Sequence, residues 1–193
     1  MTVLAQYIKS YFGIVSDVEI DEISTLFQKE HLKKDDFFTQ KGNRINKLSF
    51  IESGMLRIFV NTDKKEVTQW ISTSGYFVTD LTGFIFDDVS RWNIQALSDT
   101  VLYSISKENY KKVGSIVSKW NELEKMFIVK CFTTLEERIF SHLSMSSEER
   151  YHYFFKHNKE LFNQVPLQYI ASMLGMTPET FSRIRKKTGE VNS

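Results

Sequence analysis

Four cationic side chains, Arg183, Arg185, Lys186 and Lys187, fall within five residues near the C-terminus. Between positions 163 and 193 the other charged residues are Glu179 and Glu190, so positive charge is concentrated where a phosphate backbone can meet it. A guanidinium donates two bonds to guanine O6 and N7, and a carboxylate accepts from cytosine N4. Arg183 and Glu179 are therefore the expected base-reading pair. Thr177, Thr180, Ser182, Arg185, Lys186 and Lys187 are the expected phosphate contacts, which position a protein but carry no sequence information.

Other chemistries lack their residues. There is no Gly-x-Ser-x-Gly, phosphate-cradling Gly-rich loop, His-Glu-x-x-His or Cys-x-x-Cys. His152 and His157 stand five apart, off a common helical face. The single Cys131 can form no internal disulfide, and alone it can hold neither zinc nor an iron–sulfur cluster. Its expected role is that of a small buried apolar residue. No catalytic residue, metal site or cofactor is expected.

The cations need an element that aims them. VPLQYIASMLGMTPETFSRIRKK reads as two short helices and a turn. Pro166 suits the first turn of the first helix. Ile170, Ala171 and Leu174 form its inner face, with Ala171 small enough to admit a second helix closely. Gly175 falls where the turn needs a positive φ. Thr177 is the expected N-cap of the second helix, with Pro178 at its first position. Phe181 and Ile184 then point inward with Met176, leaving Pro178, Glu179, Ser182, Arg183 and Lys186 outward. Ala171, Gly175 and Phe181 with Ile184 reproduce the helix-turn-helix spacing, which an ordinary pair of hairpinned helices shares only in part.

The remaining chain shows two textures. Thr2 to Phe27 carries helical periodicity in Leu4, Tyr7, Ile8 and Tyr11, then again in Ile20, Ile23, Leu26 and Phe27. Phe37 to Ser106 consists of short aromatic and β-branched runs, punctuated by Gly42, Gly54 and Gly75, as in an antiparallel sandwich or roll. From Ser118 one long helix is expected, without Pro or Gly to stop it. It bears two apolar stripes: Trp120, Leu123, Phe127 and Cys131, and Ile128, Phe132, Leu135, Ile139 and Leu143. One stripe can pack on the β-domain and the other on the same helix of a second subunit in a two-fold contact. Trp120, Leu123, Phe127 and Cys131 are the candidate dimer residues, although periodicity leaves open which stripe meets the partner. The expected organisation is a β-roll effector-type domain over 1–117, a dimerisation helix over 118–143 and a DNA-binding unit over 144–193.

This order, and above all MTPETFSRIRKK with its Glu179, Thr180 and Arg183, resembles the cyclic-AMP receptor protein (Crp/Fnr) family of bacterial regulators. The resemblance spans nearly the whole chain. It implies an α+β fold with a cyclic-nucleotide-binding-like β-roll that holds an effector, a dimerising long helix, and a C-terminal helix-turn-helix that effector binding reorients. Cyclic-nucleotide binders in the family carry Gly-Glu-Leu for the ribose and, about nine residues on, Arg-Ser or Arg-Thr for the phosphate. Here Thr79, Asp80 and Leu81 stand at the first place and Ser90 and Arg91 at the second. The arginine is displaced by one residue, which on a strand turns it to the opposite face. These five residues are the candidate pocket for an unknown small-molecule effector, and cyclic AMP is not expected. The redox branch needs a cysteine cluster, and a haem branch would draw on His31 or His142, each read as an ordinary surface or capping residue. A wing hairpin is not evident in TGEVNS after Lys187.

The whole chain has 193 residues, 41% hydrophobic and 25% charged, with a formal net charge of +1. It is long enough to bury a core, and its net charge gives no global sign of nucleic-acid affinity. No run of about 18 apolar residues occurs, and MTVLAQYIKSYFGIV lacks an apolar signal core. A cytoplasmic homodimer on a palindromic operator, with no membrane contact, is the expected state. The competing reading is a small-molecule or cyclic-nucleotide-binding signalling module whose helix-turn-helix meets protein. The clustered cations argue against it.

Overall fold

The computed structural model describes residues 2–13 and 16–189. Its elements follow the chain as α1 (Val3–Phe12), α2 (Asp17–Ser24), β1 (Phe27–Leu32), β2 (Phe37–Thr39), β3 (Lys47–Ser53), β4 (Leu56–Asn61), β5 (Glu66–Ser72), β6 (Phe77–Val78), α3 (Leu81–Phe86), β7 (Asn93–Ala96), β8 (Thr100–Ser106), α4 (Lys107–Ile116), α5 (Trp120–Ser144), α6 (Ser147–His157), α7 (Leu161–Gln164), α8 (Leu167–Met173) and α9 (Pro178–Lys187). The strands form two antiparallel four-stranded sheets, β1-β8-β3-β6 and β2-β7-β4-β5. Phe50, Ile51, Leu56, Ile94, Leu102 and Ile105, from both sheets, are fully buried in one core. This is the expected roll with its two leading helices. None of the helices among the described residues is long and apolar enough to cross a membrane.

Local chemistry explains the helix starts. Ser16 and Ser146 each open a capping box with the Glu three residues on, and this reciprocal pair satisfies two otherwise orphaned donors. The α1 face packs its aromatics on α5: the Phe12 ring lies 4.8 Å from Trp120 and 5.3 Å from Phe127. Phe77 adds a contact to Phe127 at 4.8 Å.

These contacts correct the candidate dimer face. Trp120 and Phe127 are buried in the chain's own core, and Leu123 and Cys131 pack against it. Cys131 is half-buried, and burial pushes its thiol up from its ordinary range. The other stripe is bare: Ile128, Phe132 and Ile139 are 57%, 60% and 60% exposed, and Leu143 is 81% exposed. Both stripes have helical spacing; the aromatic surface of α1 and β6 decides between them.

A second core belongs to the C-terminal helices. It gathers Tyr151, Phe162, Ile170, Ala171, Phe181 and Ile184, and takes in Met55 and Ile71 from the β-roll.

Candidate nucleic-acid interface

The helix-turn-helix forms as its residues require. Thr177 has extended backbone and its hydroxyl accepts from the Thr180 amide at 3.2 Å, with Pro178 beginning α9. Gly175 turns at φ +71°, a left-handed conformation that costs an L-residue with a Cβ. Pro166 is the residue before α8 rather than its first, a shift of one position. Ile170, Ala171, Met176, Phe181 and Ile184 are buried, so the inner faces meet as their spacing dictates.

The outward side of α9 presents Pro178, Glu179, Ser182, Arg183 and Lys186 on one open surface. Arg183 and Lys186 make no side-chain hydrogen bond or ion pair among the described residues. Glu179 sits at the N-terminal end of α9, where its own backbone amide and the Thr177 hydroxyl hold its carboxyl below the usual carboxylate range. It is thereby kept as a charged acceptor. Arg185 is half-buried and Ser182 exposed.

Three expected phosphate contacts are engaged elsewhere. Lys187 pairs with Glu148 of α6 at 2.9 Å, pinning the end of the second helix to the unit's first. The Thr177 hydroxyl caps α9 and also donates to the Thr180 hydroxyl at 3.2 Å. Their partners lie three residues along the chain or on α6, and they are met before any DNA arrives.

Of the five candidate effector residues, Asp80, Ser90 and the backbone of Arg91 come together, but onto one another. Asp80 is buried and caps α3: one carboxylate oxygen accepts from the amides of Thr82 and Gly83 at 3.1 and 3.4 Å. The other accepts from the Ser90 hydroxyl at 3.1 Å and the Arg91 amide at 2.7 Å. Thr79 donates to the Lys47 carbonyl, while Leu81 and Arg91 are exposed. The donors of this segment thus already surround an internal anion.

The seam between roll and helix-turn-helix carries residues that sequence reasoning missed. Arg57 is 2% exposed, with its guanidinium 3.6 Å from the Tyr169 ring centre and 4.2 Å from that of Phe59. Its Nε donates to Thr68 at 2.9 Å and it pairs with Glu66 at 2.9 Å. The Thr68 amide of β5 donates to Ser172 of α8 at 2.9 Å, which occupies a donor on an edge strand. Arg138 of α5 lies over Trp70 and donates to the Met173 carbonyl; burial pulls its pKa down, yet a guanidinium stays charged. Arg150 bridges the Leu174 and Met145 carbonyls, tying the helix-turn-helix to the end of α5. The available signal was Arg57 itself, a charge inside the apolar strand LRIFV.

Comparison with known proteins agrees with this architecture. Residues 29–115 match the cyclic nucleotide-binding domain family. Among solved structures, the chain is similar to FixK2 of Bradyrhizobium japonicum, with a TM-score of 0.72 at 14% identity over 85% of each chain. It is similar to CLP, the c-di-GMP-responsive global regulator of Xanthomonas campestris, with a TM-score of 0.66 at 16% identity over 91% of this chain and 92% of that one. The catabolite activator protein of Thermus thermophilus gives 0.57 at 18% identity, over 93% and 86%. No curated protein matches in sequence. The N-terminal part of the chain is thus similar to cyclic nucleotide-binding domains, and its fold as a whole, with a β-roll, a long helix and C-terminal helices, is like that of these solved proteins. Residues 190–193, where a wing hairpin was not expected, lie outside the described residues.

Proposed function

We propose that this chain is a sequence-specific DNA-binding transcription regulator of the Crp/Fnr type, acting in the cytoplasm without catalysis. One observation carries the reading: α9 is seated by Phe181 and Ile184 while Glu179, Ser182, Arg183 and Lys186 stand together on its open side. That is the arrangement a major-groove helix needs, with charged hydrogen-bonding tips outward and an apolar anchor beneath.

The bare stripe Ile128, Phe132, Leu135, Ile139 and Leu143 on α5 supports a homodimer in which two α5 helices cover each other. An exposed apolar ridge of this length is unfavourable in water, and a second copy offers a matching ridge by two-fold symmetry. The occupied Asp80 seat supports an effector other than cyclic AMP.

Selection of bound sequences from a random DNA pool tests the reading. The expected product is a palindrome with half-sites about one helical turn apart. A pool that stays random after selection overturns it.

A further inference from the structure

The β-roll and the C-terminal unit leave between them a cleft of about 960 Å³, a size suited to a small ligand. Its roll side is lined by Ser53, Thr73 and Ser98, and its other side by the end of α6, by Asn158 in the following connection and by Gln164 of α7. Ser98 Oγ is buried and has no hydrogen-bond partner among the described residues, an unfavourable state for a hydroxyl.

Lys156, His157 and Lys159 also line the cleft. Lys156 has no ion pair among the described residues, and Lys159 lies over the Phe155 ring rather than against an acid. His157 Nδ1 meets the Tyr153 carbonyl at 2.8 Å. A carbonyl only accepts, so Nδ1 carries the hydrogen and Nε2 of the neutral ring is left to accept from a ligand hydroxyl. Of the two carboxylates in the lining, Glu52 is held by Lys29 at 2.6 Å and by the Tyr103 hydroxyl at 2.9 Å. That leaves Glu160 against two ammonium groups.

The lining has therefore a cationic end for an anion and a wall of hydroxyls and amides, with Met55 and Leu161 as its apolar members. No phenyl, phenol or indole ring is among the described lining residues, so a nucleobase finds no stacking platform. We propose that the cleft binds a phosphorylated sugar, its phosphate on Lys156 and Lys159 and its hydroxyls on His157 Nε2 and the wall of Ser53, Thr73 and Ser98. Because the two walls belong to the roll and to the C-terminal unit, the ligand fixes how α8 and α9 sit on the roll. That regulatory consequence rests on the proposed DNA-reading function; the binding does not.

Isothermal titration of the full chain with glucose 6-phosphate and fructose 1,6-bisphosphate tests the site, with glucose, inorganic phosphate and AMP as comparisons. Saturable binding of a sugar phosphate is expected, at least about tenfold tighter than any of the three comparisons. The exposed pair Lys156→Gln and Lys159→Gln weakens it by about tenfold or more, since each ammonium contributes a charge-assisted bond to phosphate. Lys64→Gln, in the β4–β5 turn, leaves it unchanged. Absence of saturable binding by both sugar phosphates, equal binding of AMP or phosphate, or indifference to the double variant overturns the proposal. Random-pool selection without ligand reports on DNA reading separately, so the two failures are distinguishable.

Discussion

The guanidinium of Arg57 lies 3.6 Å from the centre of the Tyr169 ring, so that β4 of the roll grips the first helix of the helix-turn-helix. A charge this buried is stable only with partners, and Thr68, Glu66 and the two rings of Phe59 and Tyr169 supply them. The seam is consequently a specific docking surface.

Removing one side of that grip loosens the C-terminal unit. Tyr169→Leu keeps apolar volume but deletes the ring face, at an expected cost of about 2 kcal/mol for a desolvated cation–π contact. Hydrogen exchange is the measurement: amides of α8 and α9 are expected to lose protection while β3 and β8 keep theirs. Uniform loss across the roll contradicts a local seam.

The fold was legible wherever periodicity spoke. Leu4, Ile8, Ile20 and Ile23 marked α1 and α2, and the long apolar repeat marked α5. Ala171, Gly175 and Phe181 placed the helix-turn-helix nearly to the residue. Less was legible where tertiary partners decide. The six residues of α3, LTGFIF, look like a strand, and they turn helical because Asp80 caps the Thr82 and Gly83 amides and Gly83 leaves no Cβ to strike Ile45. The polar strand β1, FQKEHL, has no alternation of its own and is defined by pairing with β8. Neither the choice between the α5 stripes nor the Arg57–Tyr169 contact is encoded locally, because each depends on residues far away in sequence.

The internal anion at Asp80 gives a paired expectation. Asp80→Asn turns one acceptor oxygen into an NH2 group that faces two of the four donors, leaving them unsatisfied at about 1–3 kcal/mol. Urea unfolding should show that loss. Titration with cyclic AMP should stay silent in the native chain, where the carboxylate holds the donors. Micromolar binding there would refute the occupied-seat argument.

The bare stripe of α5 makes oligomeric state testable without harming the fold. Leu135 and Ile139 are 46% and 60% exposed, so Leu135→Asp with Ile139→Asp removes little intramolecular packing. Light scattering is expected to report a dimer for the native chain and a monomer for the variant, with unchanged circular dichroism. Losing the second half-site contact then weakens operator binding by about 10²-fold or more. A native chain that is already monomeric at micromolar concentration removes the dimer from the reading.

Three substitutions on α9 separate base reading from phosphate contact. Arg183→Ala removes a side chain with no partner in the free protein, so its whole effect falls on the complex: about 1–3 kcal/mol on the selected operator and relaxed preference at one base pair. Lys186→Ala, equally unengaged, should weaken all sequences alike and lower the salt slope by about one. Lys187 already spends its charge on Glu148 at 2.9 Å. Using it on DNA means breaking that bridge, so Lys187→Ala should change affinity less than Lys186→Ala, and Glu148→Gln should strengthen binding by freeing the ammonium. Gel-shift titrations across a salt series read all of these. If Arg183→Ala instead weakens every sequence equally, the side chain meets phosphate, and the base-reading role passes to Glu179 alone.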